Sequence, residues 1–250
     1  MNRLSIVVTT LNAINQIGLL FASLNLQDNK NFDIIVVDAD STDGTIDFVR
    51  QFNLPVQLII DPRASIYKGI NIGIEASKTD YYLVCGSDDE LYPNAISTIL
   101  EDISKNSEAD LLLYAVKKGN SICRPNFPTR IRKVMGWQSI VASHSVGTVI
   151  KKQLHLQLGY YNLKHPILAD GYFFSKVFDR GGNFIISESV IGSFAIEGLS
   201  SRNLYNNIFT TFLIQIEISS FFLQLGLLMY RLIKHRKSVT DLSNVSNNCS

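Results

Sequence analysis

The sequence is poor in cysteine and in net charge, and both shortages narrow the possible functions. Its three cysteines among 250 residues, Cys85, Cys123 and Cys249, have no metal-ligand spacing, and their odd number argues against a disulfide framework. A reduced, cytoplasmic compartment is therefore expected. The formal net charge is +1, from 23 basic and 22 acidic residues, so no overall attraction to nucleic acid is predicted.

Long uninterrupted hydrophobic runs and cofactor-binding glycine motifs are also missing. No leader peptide is expected before the first apolar run, 4–10, because that run is itself typical of a core strand. The most apolar stretch, 205–237, is interrupted by Gln215, Glu217 and Gln224, whereas a membrane-spanning helix needs about 20 nearly uninterrupted apolar residues. No G-x-G-x-x-G motif follows the first strand, which excludes a Rossmann dehydrogenase.

Residues 205–237 are instead predicted to form one long amphipathic helix. Polar side chains recur there every seven residues, and a basic cluster at 231–237 ends the helix. An apolar helix with a polar stripe and a basic end suits the surface of an anionic membrane. Packing on the domain or on a dimer partner is the alternative. The Ser/Asn-rich tail, 238–250, is predicted to be disordered.

The first 116 residues alternate apolar, β-branched runs with amphipathic helices through short turns. The predicted strands are 4–10, 32–38, 56–60, 81–85 and 110–116. This alternation predicts βαβ units and a mostly parallel central sheet flanked by helices, which is an α/β fold. Residues 117–204 continue with mixed strand and helix signals and no linker. We therefore expect one domain over 1–204, with a first half (1–116) and a second half (117–204).

Acidic side chains are concentrated where predicted strands end or a helix begins. The three groups are Asp38 with Asp40 and Asp43, Asp88 with Asp89, and Asp170. Ligands of open α/β sheets bind outside the carboxyl ends of the strands, and paired carboxylates there suit Mg²⁺ or Mn²⁺ bound to a phosphate. Asp170 lies among apolar residues, which raise a carboxylate's pKa toward that of a general base. Each group alone is also compatible with a helix cap or a solvated turn.

Together these segments resemble the inverting family 2 glycosyltransferases of the GT-A fold, particularly the bacterial branch that builds surface polysaccharides and glycolipids. The resemblance rests on Asp-Ser-Thr-Asp-Gly-Thr at 40–45 and Ser-Asp-Asp at 87–89, in this order. The further matching segments are 5–12, 36–39, 66–73, 90–92, 167–173 and 197–200.

The resemblance implies a nucleotide-sugar donor, a UDP-sugar first and a GDP-sugar second, and a lipid-linked or glycan acceptor. It makes 1–116 the nucleotide-sugar half and 117–204 the acceptor half of the predicted domain. It implies Mg²⁺ or Mn²⁺ at Asp88 and Asp89, with Gly86 standing where relatives carry the first carboxylate of Asp-x-Asp. It also implies that Asp170 is the base that deprotonates an acceptor hydroxyl for direct displacement at the anomeric carbon. The residues placed at the nucleotide are Thr10, Asn12, Asp38, Asp40, Tyr67, Lys68, Asn71 and Asp88, and those placed near the acceptor or diphosphate are His144 and Arg202.

The leading prediction is a metal-dependent inverting glycosyltransferase of cell-surface polysaccharide synthesis, of the O-antigen, capsule or lipopolysaccharide type. It is expected on the cytoplasmic face of the cell membrane as a peripheral protein. A degenerate, non-catalytic subunit that binds nucleotide-sugar is the second interpretation, because Gly86 and Lys68 depart from the family pattern. A sugar-phosphate nucleotidyltransferase is less favoured. Such enzymes carry a Gly-rich basic loop after the first strand, and residues 9–12 contain neither glycine nor a basic residue.

Overall fold

A computed structural model describes residues 4–126, 144–166, 168–194 and 204–246. The strands of this part of the chain are β1 Leu4–Thr10, β2 Phe32–Asp38, β3 Val56–Ile60, β4 Tyr81–Cys85, β5 Glu90–Leu91, β6 Leu111–Lys118, β7 Ser121–Cys123, β8 Thr148–Lys151 and β9 Phe184–Phe194. Its α-helices are α1 Ile14–Asn25, α2 Thr45–Arg50, α3 Ile66–Ala76, α4 Ala95–Lys105, α5 Leu154–Leu158, α6 Ala169–Asp179, α7 Leu204–Ile218 and α8 Phe221–Ser246, and a 3-10 turn, Ser145–Gly147, precedes β8.

The nine described strands form one sheet in the order β3-β2-β1-β4-β8-β6-β9-β5, and β7 pairs with β6. β1 runs parallel to β2 and β4, and β2 runs parallel to β3, which confirms the predicted α/β fold. β8 is antiparallel to both β4 and β6, so the second half of the chain joins the sheet through this strand. The short β5, which no sequence pattern indicated, pairs antiparallel with β9 at the far edge.

Helices cover both faces of the parallel strands, which explains why those strands are almost entirely apolar. Ile6 of β1 packs with Phe21 of α1 in the core on one face, and Val7 packs with Ile74 of α3 in the core on the other. α3 lies very close to the sheet, because a Cβ atom on Gly73 would be 2.4 Å from Cγ1 of Val7. The two cores hold the carboxyl ends of β1, β2 and β4 at a common edge.

The predicted single helix over 205–237 is wrong, because the structure has two helices there, α7 and α8. They are separated at Ser219 and Ser220, whose hydroxyls compete with backbone groups for hydrogen bonds and so favour helix ends. The amide of Gln224 donates to the Ser220 carbonyl (3.1 Å), which starts the second helix. α8 also continues to Ser246, so residues 238–246 are helical and not disordered as predicted.

α7 and α8 pack against each other as a hairpin, and α7 also contacts α6. Neither of them, nor any other helix in the described part of the chain, is both long enough and apolar enough to pass through a bilayer.

Candidate active site

Three loops that carry predicted site residues open on one edge of the sheet. In the parallel register Thr10 of β1 is opposite Asp38 of β2, and Val8 of β1 is opposite Cys85 at the end of β4. The loops that follow these strands therefore share one side, where α/β folds bind ligands. The predicted groups around Asp38 and Asp88 are thus neighbours at this edge.

Asp38 is a fully buried carboxylate that holds the first two loops together. Its side chain accepts hydrogen bonds from the Thr10 hydroxyl (2.5 Å) and from the backbone amide (2.6 Å) and hydroxyl (2.7 Å) of Ser41. Ser41 in turn accepts from the amide of Asn12 (2.8 Å). Both oxygens of Asp38 are therefore used inside the protein, and Ser41 is a member of this cluster that the sequence analysis did not single out.

Asn12 and Asp40 have left-handed backbone conformations, with φ of 50° and 67°. Such conformations are unusual for non-glycine residues, and asparagine and aspartate tolerate them best. Both residues are exposed at the mouth of the site, although the side-chain carbonyl of Asn12 accepts from the amide of Thr42 (3.0 Å). The two turns thus present short polar side chains toward solvent at the edge where a nucleotide is predicted.

Asp43 belongs to the same acidic loop but acts as a helix cap. Its carboxylate accepts from the amide of Ile14 (3.0 Å), at the start of α1, and from the amide and hydroxyl of Thr45 (3.0 and 2.6 Å). A carboxylate at a helix N-terminus satisfies free backbone donors. The capping alternative is therefore confirmed for this one member of the loop.

Asp88 and Asp89 follow β4, and the two side chains differ in exposure. Asp89 is 1% exposed and accepts from the Gly86 amide (2.6 Å), whereas Asp88 is half-buried. Burial, with a smaller contribution from the charge of Asp88, raises the pKa of Asp89 to about 7, although the Gly86 amide opposes this. A Cβ atom on Gly86 would lie 2.8 Å from Oδ1 of Asp88. Gly86 therefore leaves room for the Asp88 carboxylate.

The acidic pair fits a hard divalent cation that shares its ligands with a substrate. The described residues contain no group of three or more His, Cys, Asp and Glu side chains that could hold a metal ion. Magnesium in proteins keeps several waters and is often bound by one or two carboxylates together with substrate phosphates. A cation would also offset the repulsion between the two neighbouring carboxylates.

His144, from the predicted acceptor half (117–204), lies beside the acidic pair. Its Nδ1 lies 3.9 Å from Oδ1 of Asp89, and its ring stacks on Phe194 with centroids 4.2 Å apart. Burial lowers the pKa of His144 to about 4, and the nearby charge of Asp88 offsets only part of this effect. The imidazole is therefore neutral at pH 7, so its contact with Asp89 is not an ion pair. The Nζ atom of Lys118 lies 5.6 Å from the centroid of the Phe194 ring, the same ring on which His144 stacks.

Asp170 lies in the first turn of α6 and is half-buried. Its Oδ1 accepts from the hydroxyl of Tyr67 (2.8 Å), on α3, and from the amide of Gly171 (2.8 Å). No side chain of the described residues hydrogen-bonds its Oδ2. Burial raises the pKa of Asp170, and hydrogen bonds from the Tyr67 hydroxyl and from the backbone amides of Gly171 and of Asp170 itself reduce that increase. The carboxylate is thus fixed through one oxygen, and the other oxygen is able to accept a proton.

Two predicted nucleotide residues on α3 have their polar atoms engaged elsewhere. Lys68 forms an ion pair with Asp61 (2.7 Å), which follows β3. Asn71 donates to the carbonyl of Tyr161 (2.9 Å) and accepts from its amide (3.0 Å), so it fastens the loop before α6. Asp61 and Tyr161 carried no sequence signal. Arg202 lies outside the described residues, and so does the matching segment 197–200.

Residues 5–182 match the family model described as glycosyl transferase family 2. Because this match covers well over half of the 250 residues, the protein belongs to that family. The chain is 26% identical over 181 residues to a PGL/p-HBAD biosynthesis glycosyltransferase of Mycobacterium bovis BCG, covering 70% of each chain. It is 30% identical over 106 residues to a teichoic acid poly(glycerol phosphate) polymerase of Staphylococcus epidermidis, covering 40% of this chain and 15% of that one.

Solved structures with the same architecture include S. aureus TarS 1–349 in complex with UDP. That structure has a TM-score of 0.66 and 18% identity, over 94% of this chain and 72% of the other. The full TarS chain is longer, and this chain covers 43% of it. A mannosyltransferase of Pyrobaculum calidifontis, in complex with GDP-Man and Mn²⁺, has a TM-score of 0.63 and 15% identity. The match covers 99% of this chain and 81% of the mannosyltransferase chain. At these identities the likeness concerns the fold, which is of the GT-A type.

Proposed function

We propose that this family 2 enzyme transfers one sugar from a nucleoside-diphosphate sugar to a lipid-linked or glycan acceptor, with inversion at the anomeric carbon. The observation that carries the proposal is the environment of Asp170. A carboxylate whose pKa burial raises, and whose orientation two donors to Oδ1 fix, is suited to remove the proton of an acceptor hydroxyl.

The reaction needs little else from the protein at the acceptor side. The hydroxyl gives its proton to Oδ2 of Asp170 while its oxygen attacks the anomeric carbon, and the nucleoside diphosphate leaves from the opposite face. One base is sufficient for such a single displacement, which inverts the configuration. Tyr67 is a positioning residue in this scheme, because it holds the carboxylate and touches no reacting atom.

The donor is expected at the edge formed by the Thr10, Asp38 and Asp88 loops. Asp38 would keep the nucleotide loop rigid, and Asn12 and Asp40 would offer polar groups at its mouth. Two structures with this fold are complexes with UDP and with GDP-Man, which supports a nucleotide-sugar donor with a uracil or guanine base.

Asp88 and Asp89 are the residues that would hold Mg²⁺ or Mn²⁺, with Asp88 as the more accessible ligand. When bound, a divalent cation offsets the negative charge that develops on the leaving diphosphate. The neutral His144 beside the pair adds no competing positive charge, and it is placed to donate a hydrogen bond to a phosphate or an acceptor.

The proposed setting is bacterial cell-surface synthesis on the cytoplasmic face of the membrane, of the O-antigen, capsule or lipopolysaccharide type. The similarity to proteins of PGL/p-HBAD and teichoic acid synthesis supports a surface-polymer or glycolipid acceptor. A peripheral attachment would bring the enzyme to an acceptor that is itself anchored in lipid.

Calorimetric titration of UDP and of GDP, with and without Mn²⁺, tests the proposal. We expect one nucleotide to bind to the wild type only with the metal, and we expect Asp88→Asn/Asp89→Asn to lose that binding. Asp47→Asn/Glu108→Gln is a charge-matched control, because both side chains are exposed and neither is a predicted site residue. No binding of either nucleotide by the folded wild type would contradict the proposed donor site, and nucleotide binding that needs no metal would favour the degenerate subunit, for which the glycine at 86 is the argument.

A further inference from the structure

The α7–α8 hairpin has the polarity of its side chains reversed relative to a water-soluble helix pair. Gln215 and Gln224 are both 0% exposed, and each lies four residues from the two-serine break, so they occupy the same layer of the hairpin. On the outside, Phe222 is 83% exposed and Ile233 is 68% exposed. Burying amides while exposing large apolar groups is unfavourable for a surface that faces only water.

Four of the exposed apolar residues of α8 form one stripe, and Phe221, Leu223 and Tyr230 are exposed on its two sides. Phe222, Leu225, Met229 and Ile233 are spaced by three or four residues, which places them in one stripe along the helix. The stripe is about 17 Å long at 1.5 Å per residue. Gln224 and Leu228 point to the opposite side and are buried. We call this stripe the outer face of α8.

The hairpin packs against α6, the helix that carries the proposed base, Asp170. Ile214 of α7 is buried in the same core cluster as Phe173 and Phe174 of α6. The hydroxyl of Tyr172, two residues after Asp170, hydrogen-bonds Glu217 of α7. α7 therefore lies between the domain and α8, and the outer face of α8 is directed away from the domain.

Charge is distributed unevenly along the same segment. From 218 to 240 the sequence contains no aspartate or glutamate, and its basic or titratable residues are Arg231, Lys234, His235, Arg236 and Lys237. The side chain of Lys234 is exposed next to Ile233, at the end of the outer face. An apolar face bordered by cations and free of acids is complementary to a bilayer with anionic headgroups.

We propose that the outer face of α8 lies flat on the surface of an anionic phospholipid bilayer, with α7 and the domain above it. This orientation keeps the glutamine layer away from lipid and leaves α7 between the bilayer and α6, which carries Asp170 in its first turn. A second copy of the chain is a poorer occupant, because it would bring another acid-free, basic surface to this face. The inference takes from the proposed function only the expectation of a membrane partner.

Flotation of the full chain with phospholipid vesicles tests the inference without any catalytic measurement. We expect the protein to float with vesicles of phosphatidylcholine and phosphatidylglycerol (3:1), and several-fold less with phosphatidylcholine alone or in high salt. The variant Phe222→Ser/Met229→Ser/Ile233→Ser should lower the bound fraction at least tenfold. These side chains are exposed, so the variant should fold.

A matched control removes the same amount of apolar surface elsewhere. Leu26, Leu156 and Leu163 are 67%, 81% and 51% exposed, and their replacement by serine should leave flotation unchanged. Equal flotation of the wild type and the α8 variant, or no preference for anionic vesicles, would overturn the inference. So would a wild-type dimer in sedimentation velocity that the α8 variant dissociates while vesicles bind neither. Flotation without nucleotide binding would refute the proposed function and leave this inference standing.

Discussion

The Asp38 loop and the start of α6 each hold a carboxylate at the same side of the molecule, but they use it differently. Asp38 is fully buried, and three donors from Thr10 and Ser41 occupy both of its oxygens. Asp170 is half-buried, and its two donors are both on Oδ1. The first arrangement fixes two loops relative to each other, and the second leaves a fixed carboxylate able to accept a proton.

This difference separates residues that shape the site from a residue that can do chemistry. A carboxylate bonded through both oxygens has little acceptor capacity left for a substrate, whereas burial of a carboxylate bonded through one oxygen makes it a stronger base. The proposed enzyme therefore combines a rigid donor side with one reactive group at the acceptor side. Substitutions at the two carboxylates should consequently fail in different assays.

The largest expected effect is that of Asp170→Asn. Asparagine can keep an oxygen acceptor for Tyr67 and Gly171 but cannot take a proton, so we expect sugar transfer to fall by about 10²- to 10⁴-fold. UDP or GDP affinity, measured by calorimetry, should change less than about twofold, because the proposed nucleotide site is formed by other loops. Asp47→Asn, at an exposed site, is the control. Equal loss of transfer and of nucleotide binding would contradict the assignment of Asp170 as the base.

Asp38→Asn should instead act on stability. The amide NH₂ would replace one of the two carboxylate oxygens, so either the Ser41 backbone amide or the hydroxyls of Thr10 and Ser41 would lose their acceptor. We expect the free energy of unfolding in urea to decrease by about 1–3 kcal/mol. Glu108→Gln, whose side chain is 88% exposed, should change it little. If Asp38→Asn were as stable as the wild type but bound nucleotide poorly, Asp38 would contact the ligand directly.

The donor half could be predicted closely from the sequence, because one physical rule governs it. Strands buried on both faces are continuous apolar runs, and the predicted strands at 4–10, 32–38, 56–60 and 81–85 match the structure. The carboxylates at their ends were found by the same rule. The hydrogen bonds and ion pairs of individual site residues could not be predicted. Those of Asp38, Lys68 and Asn71 depend on loop conformation, which brings residues from different loops and elements together.

The C-terminal hairpin could not be predicted in the same way, because its pattern has two physical explanations. Polar residues every seven positions indicate a helix, but they do not say whether the polar stripe faces water or another helix. In the structure Gln215 and Gln224 face inward. The helix break at Ser219 and Ser220 could not be predicted either, since two serines within an apolar run are a weak signal of a helix end.

Asp89 is an intermediate case between Asp38 and Asp170, and its pH dependence sharpens the comparison. The folded state holds the proton of Asp89 up to a pKa of about 7, whereas an unfolded aspartate titrates near 3.8. Ionisation therefore destabilises the fold as the pH rises between these values. Relative to Asp89→Asn, we expect the wild type to lose on the order of 2 kcal/mol of unfolding free energy between pH 4 and pH 6.

Urea unfolding of both proteins across this pH range measures the difference directly. The buried His155 also titrates, with a pKa lowered to about 4, but it does so in both proteins and cancels in the comparison. His144 lies 3.9 Å from Asp89 and does not cancel, so both proteins carry His144→Asn in this comparison. Mn²⁺ should reduce the loss at high pH, since a cation favours the ionised form. Parallel stability curves without metal would show that the Asp89 carboxyl is not perturbed.

The smallest effect is expected from Tyr67→Phe, and it tests how Asp170 is held. The hydroxyl of Tyr67 stabilises the ionised carboxylate and lowers its pKa, against the effect of burial. Without it the pKa of Asp170 rises, so the acidic limb of kcat/KM should move to higher pH. We expect kcat at pH 7 to fall about three- to tenfold, which corresponds to one lost hydrogen bond, and to recover at higher pH.

Tyr114→Phe is a matched control for this variant, because it removes a tyrosine hydroxyl bound to Asp102 (3.0 Å), away from the site. It should leave the pH profile unchanged. The sequence had placed Tyr67 at the nucleotide, and a residue in that role would alter the donor KM without moving the acidic limb. A shifted limb with an unchanged donor KM therefore assigns Tyr67 to the base, and the opposite result assigns it to the donor.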